Sequence, residues 1–199
     1  PPGIDGRFRP GGSRSSTPLV AAVGRLVPVK QLTRLVKAAA ALRATHPCFE
    51  VVIAGEGYER AALESAILAN GMGGIVRLAG HIDDGALVDL YRSAWVVVSA
   101  SAREGWGMTI TEAAACATPS IASRIAGHVD AVEDGRSGLL FGTDDELVSA
   151  LGAVLSDEVL RRRLGRRALE RSRAFSWEAA AAGALDVVAA EVCRHRRSR

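Results

Sequence analysis

The amino-acid sequence predicts an α/β fold, a doubly wound parallel sheet of about six strands with helices on both faces and extra helices at the C-terminal end. Two observations carry this. Short, near-continuous apolar runs recur along the chain, as strands buried on both faces do, and segments of helical periodicity alternate with them. "LVAAVG" (19 to 24) is the first strand, and Leu32, Leu35, Val36, Ala39 and Leu42 then recur at the spacing of an amphipathic helix. "FEVVIAG" (49 to 55) is a strand, 58 to 70 a helix closed by Asn70-Gly71, "IVRLAG" (75 to 80) a strand, and 84 to 93 a short helix. "WVVVSA" (95 to 100) and "PSIAS" (119 to 123) flank an alanine-rich helix, and "GLLF" (138 to 141) is the sixth strand. Three helices follow near 144 to 155, 157 to 172 and 176 to 196, the last with Ser176 as N-cap before Trp177 and Glu178.

Composition bounds what such a sheet is for. At 199 residues, 48% hydrophobic and 24% charged, the chain has the content and length for one core, so residues 1 to 199 read as a single domain. Its net charge of +3 gives no dominant phosphate-backbone footprint, which argues against a nucleic-acid partner. Cys48, Cys116 and Cys193 stand far apart, without a C-x-x-C pair or a histidine at ligand spacing, so neither disulfides nor a metal site is expected. No apolar run approaches the roughly 18 residues of a membrane span and no signal sequence opens the chain. Together these predict a cytoplasmic protein. A start on Pro1 rather than methionine reads as a piece of a longer chain. The arginines at 161 to 163, 166, 167, 171 and 173 read as a solvated helix face, with peripheral contact to an anionic membrane as the alternative.

Ligands of an open parallel sheet gather at the carboxyl ends of its strands, where helix N-termini favour anions. The first such loop, "GRLVPVK", brings Gly24, Arg25 and Lys30 to a helix entrance, two cations able to clamp a diphosphate or to stand as surface charge. It matches neither G-x-G-x-x-G nor G-x-x-x-x-G-K-[ST]. "GEGYER" supplies Gly55 and Gly57, glycines that let strand turn into helix. "AGHIDDGAL" offers His81, Ile82, Asp83 and Asp84, suited to a nucleobase, with Asp83 or Asp84 equally suited to capping the next helix. In "SAREGWGMTITEAAACATPS", Gly105 and Gly107 let the backbone approach a ligand, and the helix beginning near Gly107 or Met108 presents free amides. Glu112 shares a face of that helix with Met108 and Thr109; its two oxygens match the paired hydroxyls of a ribose, and Glu104 on the preceding loop suits a sugar. The plain reading makes Glu104 a loop charge and Glu112 a solvated helix residue.

Taken in order and spacing, "GRLVPVK", "GEGYER", "LAGHIDDGALVDLYRSAWVVVSAS", "EGWGMTITEAAACATPSIAS" and "VEDGRSGLLF" resemble the C-terminal, Rossmann-like donor-binding domain of retaining nucleotide-sugar glycosyltransferases of the GT-B fold. The resemblance spans nearly the whole chain, and its most specific part is E-x(7)-E joined to an upstream GR-x(4)-K. It implies transfer of a hexosyl group from a UDP-sugar or GDP-sugar to an acceptor hydroxyl, with retention of configuration and without metal or other cofactor. Arg25 and Lys30 would hold the diphosphate, with Gly24 beside them and the amides of Gly107, Met108 and Thr109 assisting. Glu104 would hold the donor sugar, Glu112 the ribose, and Ile82 with Asp84 the base; Gly105 and Trp106 would line the pocket, Trp106 as an aromatic wall. An N-terminal acceptor-binding domain would be the missing partner, and an isolated donor half would transfer poorly or not at all.

The chain departs from the pattern at Gln31, where the family has glycine, and at Ala126 and Asp130, where it has Gly-Gly-x-x-Glu. Gln31 and Ala126 are tolerable where the backbone keeps ordinary dihedrals. The helix from Ser176 resembles the one that crosses to the absent half, which would leave its apolar face exposed. Other function classes on the same fold are a nucleotide-sugar epimerase and a nucleotide-binding module without catalysis. A phosphorylase would need its cofactor lysine from Lys30 or Lys37, the only two lysines. Glycosidase chemistry lacks a substrate cleft between the two glutamates.

Overall fold

The computed structural model describes residues 1–197. Six parallel strands form one sheet in the order β3-β2-β1-β4-β5-β6. They are β1 (Leu19–Val23), β2 (Glu50–Ala54), β3 (Val76–Gly80), β4 (Val96–Ser99), β5 (Ser120–Ser123) and β6 (Gly138–Phe141). The helices between them are α1 (Leu32–Leu42), α2 (Arg60–Ala69), α3 (Asp84–Ser93), α4 (Met108–Ala115) and α5 (Ala126–Ala131). After β6 come α6 (Asp144–Ser156), α7 (Glu158–Ser172) and α8 (Trp177–Arg197). Every expected strand and helix is present, and two elements are additional: α5 and a 3-10 turn at Pro28–Lys30.

The period of two along each strand builds the layers. Val20 and Ala22 of β1 enter the larger core with Leu35, Val36, Leu63, Leu147 and Leu164, while Leu19 and Ala21 face Tyr91, Ala113 and Cys116 on the other side. A third, smaller cluster of Ile110, Ala122, Ala131 and Val132 lies beneath α4 and α5. Asp83 caps α3 by accepting from the Ala86 amide at 2.8 Å, Thr143 and Glu146 form a capping box on α6, and Ser176 accepts from the Ala179 amide at 3.1 Å to start α8. The residues of α8 that the pattern leaves apolar are exposed, with Leu185, Val187 and Val188 each at 60% or more. No helix among the described residues is long and apolar enough to cross a membrane.

The strand order reverses between β1 and β4: the chain winds outward to β3 on one side and to β6 on the other. The loops leaving β1 and β4 therefore diverge at their carboxyl ends, the place where open parallel sheets take their ligands. The first of these loops is held firmly. Leu26 is fully buried, worth about 1.5–3 kcal/mol. Its amide donates to the Glu56 carbonyl at 2.9 Å and its carbonyl accepts from the Glu59 amide at 3.0 Å. Gly55 and Gly57 sit so close below that a β-carbon on either would overlap the carbonyl oxygens of Gly24 and Leu26. These glycines do more than turn strand into helix; they dock one loop onto the next.

Candidate functional site

With Leu26 anchored inward, Arg25 is left exposed and Lys30 half-buried where the two loops diverge. Lys30 forms an ion pair with Glu104 from the loop after β4, joining the two sides of the switch point. Both side chains are about one-fifth exposed, 22% and 18%, so the pair sits at a shielded position rather than on open surface. The guanidinium of Arg25 makes no ion pair among the described residues.

Below the pair runs a polar chain that sequence reasoning did not anticipate. Ser101 donates its hydroxyl to Glu104 Oε1 at 2.7 Å, and Ser123 donates its hydroxyl to the Ser101 carbonyl at 2.5 Å. His128 of α5, fully buried, donates Nδ1–H to the Ser123 carbonyl at 2.9 Å, which fixes the tautomer and leaves Nε2 to accept from the Ser99 hydroxyl at 3.1 Å. The one sequence signal for this cluster is the serines at the carboxyl ends of two adjacent strands, Ser99 and Ser101 near β4 and Ser123 on β5. Burial pushes the Glu104 carboxyl up, but the hydrogen bonds from Lys30 and Ser101 and the Lys30 charge outweigh it and hold Glu104 below its ordinary range. Burial holds His128 below the usual histidine value, and so neutral, against the opposing pull of the Ser123 carbonyl and Glu104.

The loop carrying Glu104 is clamped from beneath by α5. A β-carbon at Gly127 would lie 2.6 Å from the Glu104 carbonyl oxygen and 2.9 Å from both Gly105 C and Trp106 N, so only glycine permits this approach. Gly107 N-caps α4, its carbonyl accepting from the amides of Ile110 and Thr111 at 3.0 Å. Helix geometry leaves the amides of Met108 and Thr109 without intrahelical acceptors, at the rim beside Glu104.

Glu112 stands one turn further along α4 and is no solvated helix residue. The Tyr91 hydroxyl of α3 donates to its Oε2 at 2.9 Å. Burial raises the Glu112 carboxyl above its usual range, with the Tyr91 bond and Arg7 holding it back. Burial, then the Glu112 charge, push the Tyr91 phenol well above its ordinary value, so it remains a donor. The N-terminal segment closes this end: Phe8 packs on Tyr91 with ring centroids 5.9 Å apart, and Arg7 pairs with Asp84. Asp84 is thus engaged by Arg7, and Asp83 by the helix cap. Ile82 is half-buried and His81 exposed at the end of the edge strand β3.

Two expectations need correcting. Gln31 has φ 47°, in the left-handed region rather than at ordinary dihedrals, so the side chain is carried at a position that favours glycine. Trp106 does not stand as a free aromatic wall: its ring packs edge-on to Phe175 at 5.3 Å and against the small cluster under α5, with Nε1 buried and unpaired among the described residues. On the arginine-rich α7, Arg162 pairs with Glu158 and Arg167 with Glu170, Arg171 reaches Glu133, and Arg161 stacks over Trp95 at 3.7 Å. No group of three His, Cys, Asp or Glu side chains among the described residues is placed to hold a metal ion.

Fold and site together define a doubly wound α/β domain whose polar site sits at the switch point of the sheet. The chain belongs to the glycosyl transferases group 1 family, whose model matches residues 5–171. It is 34% identical over 207 residues to D-inositol 3-phosphate glycosyltransferase 2 of Catenulispora acidiphila, an alignment covering 94% of this chain and 48% of that protein. The chain thus spans about half the length of the curated relatives it matches. Among solved structures it is similar to sucrose-phosphate synthase from Thermosynechococcus elongatus, with TM-score 0.86 and 28% identity over 98% of this chain and 52% of that one. Anabaena HepE in complex with UDP and glucose shares the fold, with TM-score 0.78 and 23% identity over 86% of this chain and 48% of that one. The curated relatives are named as glycosyltransferases, and the fold of this chain is shared with sucrose-phosphate synthase.

Proposed function

We propose that this chain is the donor-binding half of a retaining glycosyltransferase that moves a hexosyl group from a nucleoside-diphosphate sugar to an acceptor hydroxyl. The observation that carries the proposal is the Lys30–Glu104 pair, which bridges the loops of β1 and β4 beside the free amides of α4. In the bound state Lys30 and Arg25 take the diphosphate, joined by the amides of Gly107, Met108 and Thr109. Glu104, an ionised acceptor paired with Lys30, turns to the sugar hydroxyls. Glu112, held by Tyr91, receives the ribose, and the base lies toward Ile82. HepE, crystallised with UDP and glucose, and the relatives named as D-inositol 3-phosphate glycosyltransferases support this reading.

In the reaction the bond from the anomeric carbon to the diphosphate oxygen breaks, and its electron pair stays on the diphosphate. The acceptor oxygen bonds to the same face of the sugar, and its proton passes to the departing diphosphate. Charge therefore accumulates on the diphosphate that Lys30, Arg25 and the α4 amides hold in this reading, which is where preorganised donors lower a barrier most. No metal is assigned a part, and binding in excess chelator is expected to match binding without it. The acceptor site is assigned to a second domain.

Calorimetric titration of UDP, GDP and ADP tests the proposal. Lys30→Ala and Arg25→Ala are each expected to weaken the best ligand by roughly 1.5–3 kcal/mol, the cost of a charge-assisted contact. Unchanged affinity in both variants rejects the clamp.

A further inference from the structure

The nucleotide-sugar reading leaves a buried histidine without a task. His128 is fully buried on α5, the short helix that clamps the Glu104 loop. We propose that His128 is a positioning residue that takes up a proton when the donor diphosphate arrives, so that an imidazolium stands beneath the phosphate-facing turn of α4. The inference rests on the donor-binding reading above.

Three features of its surroundings suit this. First, its place: a β-carbon at Gly107 would lie 3.3 Å from His128 Cδ2, so the ring lies against the residue that opens α4. Second, its partners are ready for either protonation state. Nδ1–H donates to the Ser123 carbonyl in both, and Ser99, now a donor to Nε2, becomes an acceptor by rotating one hydroxyl. An imidazolium would be satisfied with no heavy atom displaced, whereas a buried charge without partners is costly. Third, the charges that face it are Lys30 and Glu104, which oppose one another across their ion pair. In the free protein Glu104 pulls the ring's titration up and Lys30 pulls it down, and burial keeps it neutral. A diphosphate tips that balance by adding negative charge and drawing Lys30 toward itself.

The chain Glu104, Ser101, Ser123 and His128 connects the two events. Ser123 donates to the Ser101 carbonyl, and Ser101 donates to Glu104, so the histidine and the sugar-facing carboxylate share one network. A proton gained at His128 holds α5 and the Glu104 loop together in the loaded state. Affinity linked to that proton is fully present below the titration of the free histidine, and it is lost as pH rises through the titration of the bound one.

UDP-glucose is the probe of choice, because its diphosphate diester has no group titrating between pH 5 and 8; GDP-glucose and ADP-glucose are run alongside. Calorimetry near pH 7 in two buffers of different ionisation heat counts the protons taken up. Net uptake is expected, together with affinity rising between pH 8 and 6 by at most about tenfold per pH unit, the limit for one proton. His128→Asn is expected to abolish both, while His81→Ala keeps the uptake whatever its affinity. Binding without uptake, or uptake that survives in His128→Asn or vanishes in His81→Ala, overturns the inference alone. Failure of all three nucleotide sugars to bind overturns the donor-binding reading and this inference with it. NMR titration of the His128 ring in the unaltered protein needs no variant: a curve that does not move to higher pH with UDP-glucose is equally decisive against it.

Discussion

Replacing Gly127 by alanine adds one methyl group at the point where α5 supports the Glu104 loop. The backbone of Gly127 lies outside the left-handed region, so alanine can adopt its dihedrals and the effect is steric alone. The new carbon would stand 2.6 Å from the Glu104 carbonyl oxygen and 2.9 Å from Gly105 C and Trp106 N. Ordinary contacts of this kind are 3.4–4 Å, and all three neighbours are main-chain atoms that no rotamer change can move aside. Either α5 or the loop must retreat, at the usual overpacking cost of about 1–3 kcal/mol. The retreat carries Glu104 away from Lys30, and UDP-glucose is expected to bind more weakly by roughly 1.5–3 kcal/mol, the cost of a charge-assisted contact. Urea unfolding followed by circular dichroism measures the first effect, and calorimetry with UDP-glucose the second. Gly105→Ala is the control for stability, since nothing lies within 4 Å of its β-carbon; its unfolding free energy is expected to stay within about 0.5 kcal/mol of the parent. A Gly127→Ala protein with parental stability and affinity would refute the clamp. Equal losses of stability in both variants would refute the steric argument behind it.

Tyr91→Phe removes the 2.9 Å donor to the half-buried Glu112, and a loss of about 1–3 kcal/mol in unfolding free energy is expected. The carboxyl should then titrate at still higher pH, as NMR of labelled glutamate would show. Burial pushes the Cys116 thiol up to about 11, so in the native protein Cys48 is expected to react with iodoacetamide and Cys116 only after unfolding, as peptide mapping would reveal. His128 is depressed in the folded state, so its contribution to stability is present above about pH 6.5 and is lost as pH falls through its lower folded value. Urea midpoints at pH 7.5 and 5.5 should show this decline, and His128→Asn should flatten it. Glu104 is likewise depressed, so its share is present above the usual glutamate range, about pH 4.3, and goes at lower pH as the carboxyl protonates; Glu104→Gln lacks that second decline.

The sheet was legible because each strand is an apolar run and each long helix repeats its apolar face at a regular spacing. The six-residue α5, "AGHVDA", contains a glycine, spans under two turns and has no room for such a repeat. The Pro28–Lys30 turn is shorter still. At the site, local pattern pointed to Lys30, Glu104 and the α4 amides, since charge and glycine beside a helix start are themselves sequence signals. It did not point to Tyr91 beside Glu112, or to Arg7 beside Asp84, because those pairs are separated by 21 and 77 residues and meet only once the chain folds. His128 escaped notice for a different reason: a lone histidine among small residues carries no periodicity, and its meaning lies in two serines on neighbouring strands. Trp106 was misjudged because a ring between two glycines has freedom of direction that sequence does not restrict, and Phe175 decides it.

The interlocked glycines at the head of β2 divide the labour of change across this surface. Gly55 and Gly57 are pressed against the main chain of the neighbouring turn, so that corner cannot be retuned by exchanging side chains, and the cationic grip above it is frozen in shape. The β3 strand has no strand on its outer flank among the described residues, and the exposed His81 there can be exchanged at less structural cost than Asp83, which caps α3, or Asp84, which pairs with Arg7. On the donor-binding proposal, selectivity is therefore free to drift at the border of the sheet while the anchoring of charge at its centre stays fixed.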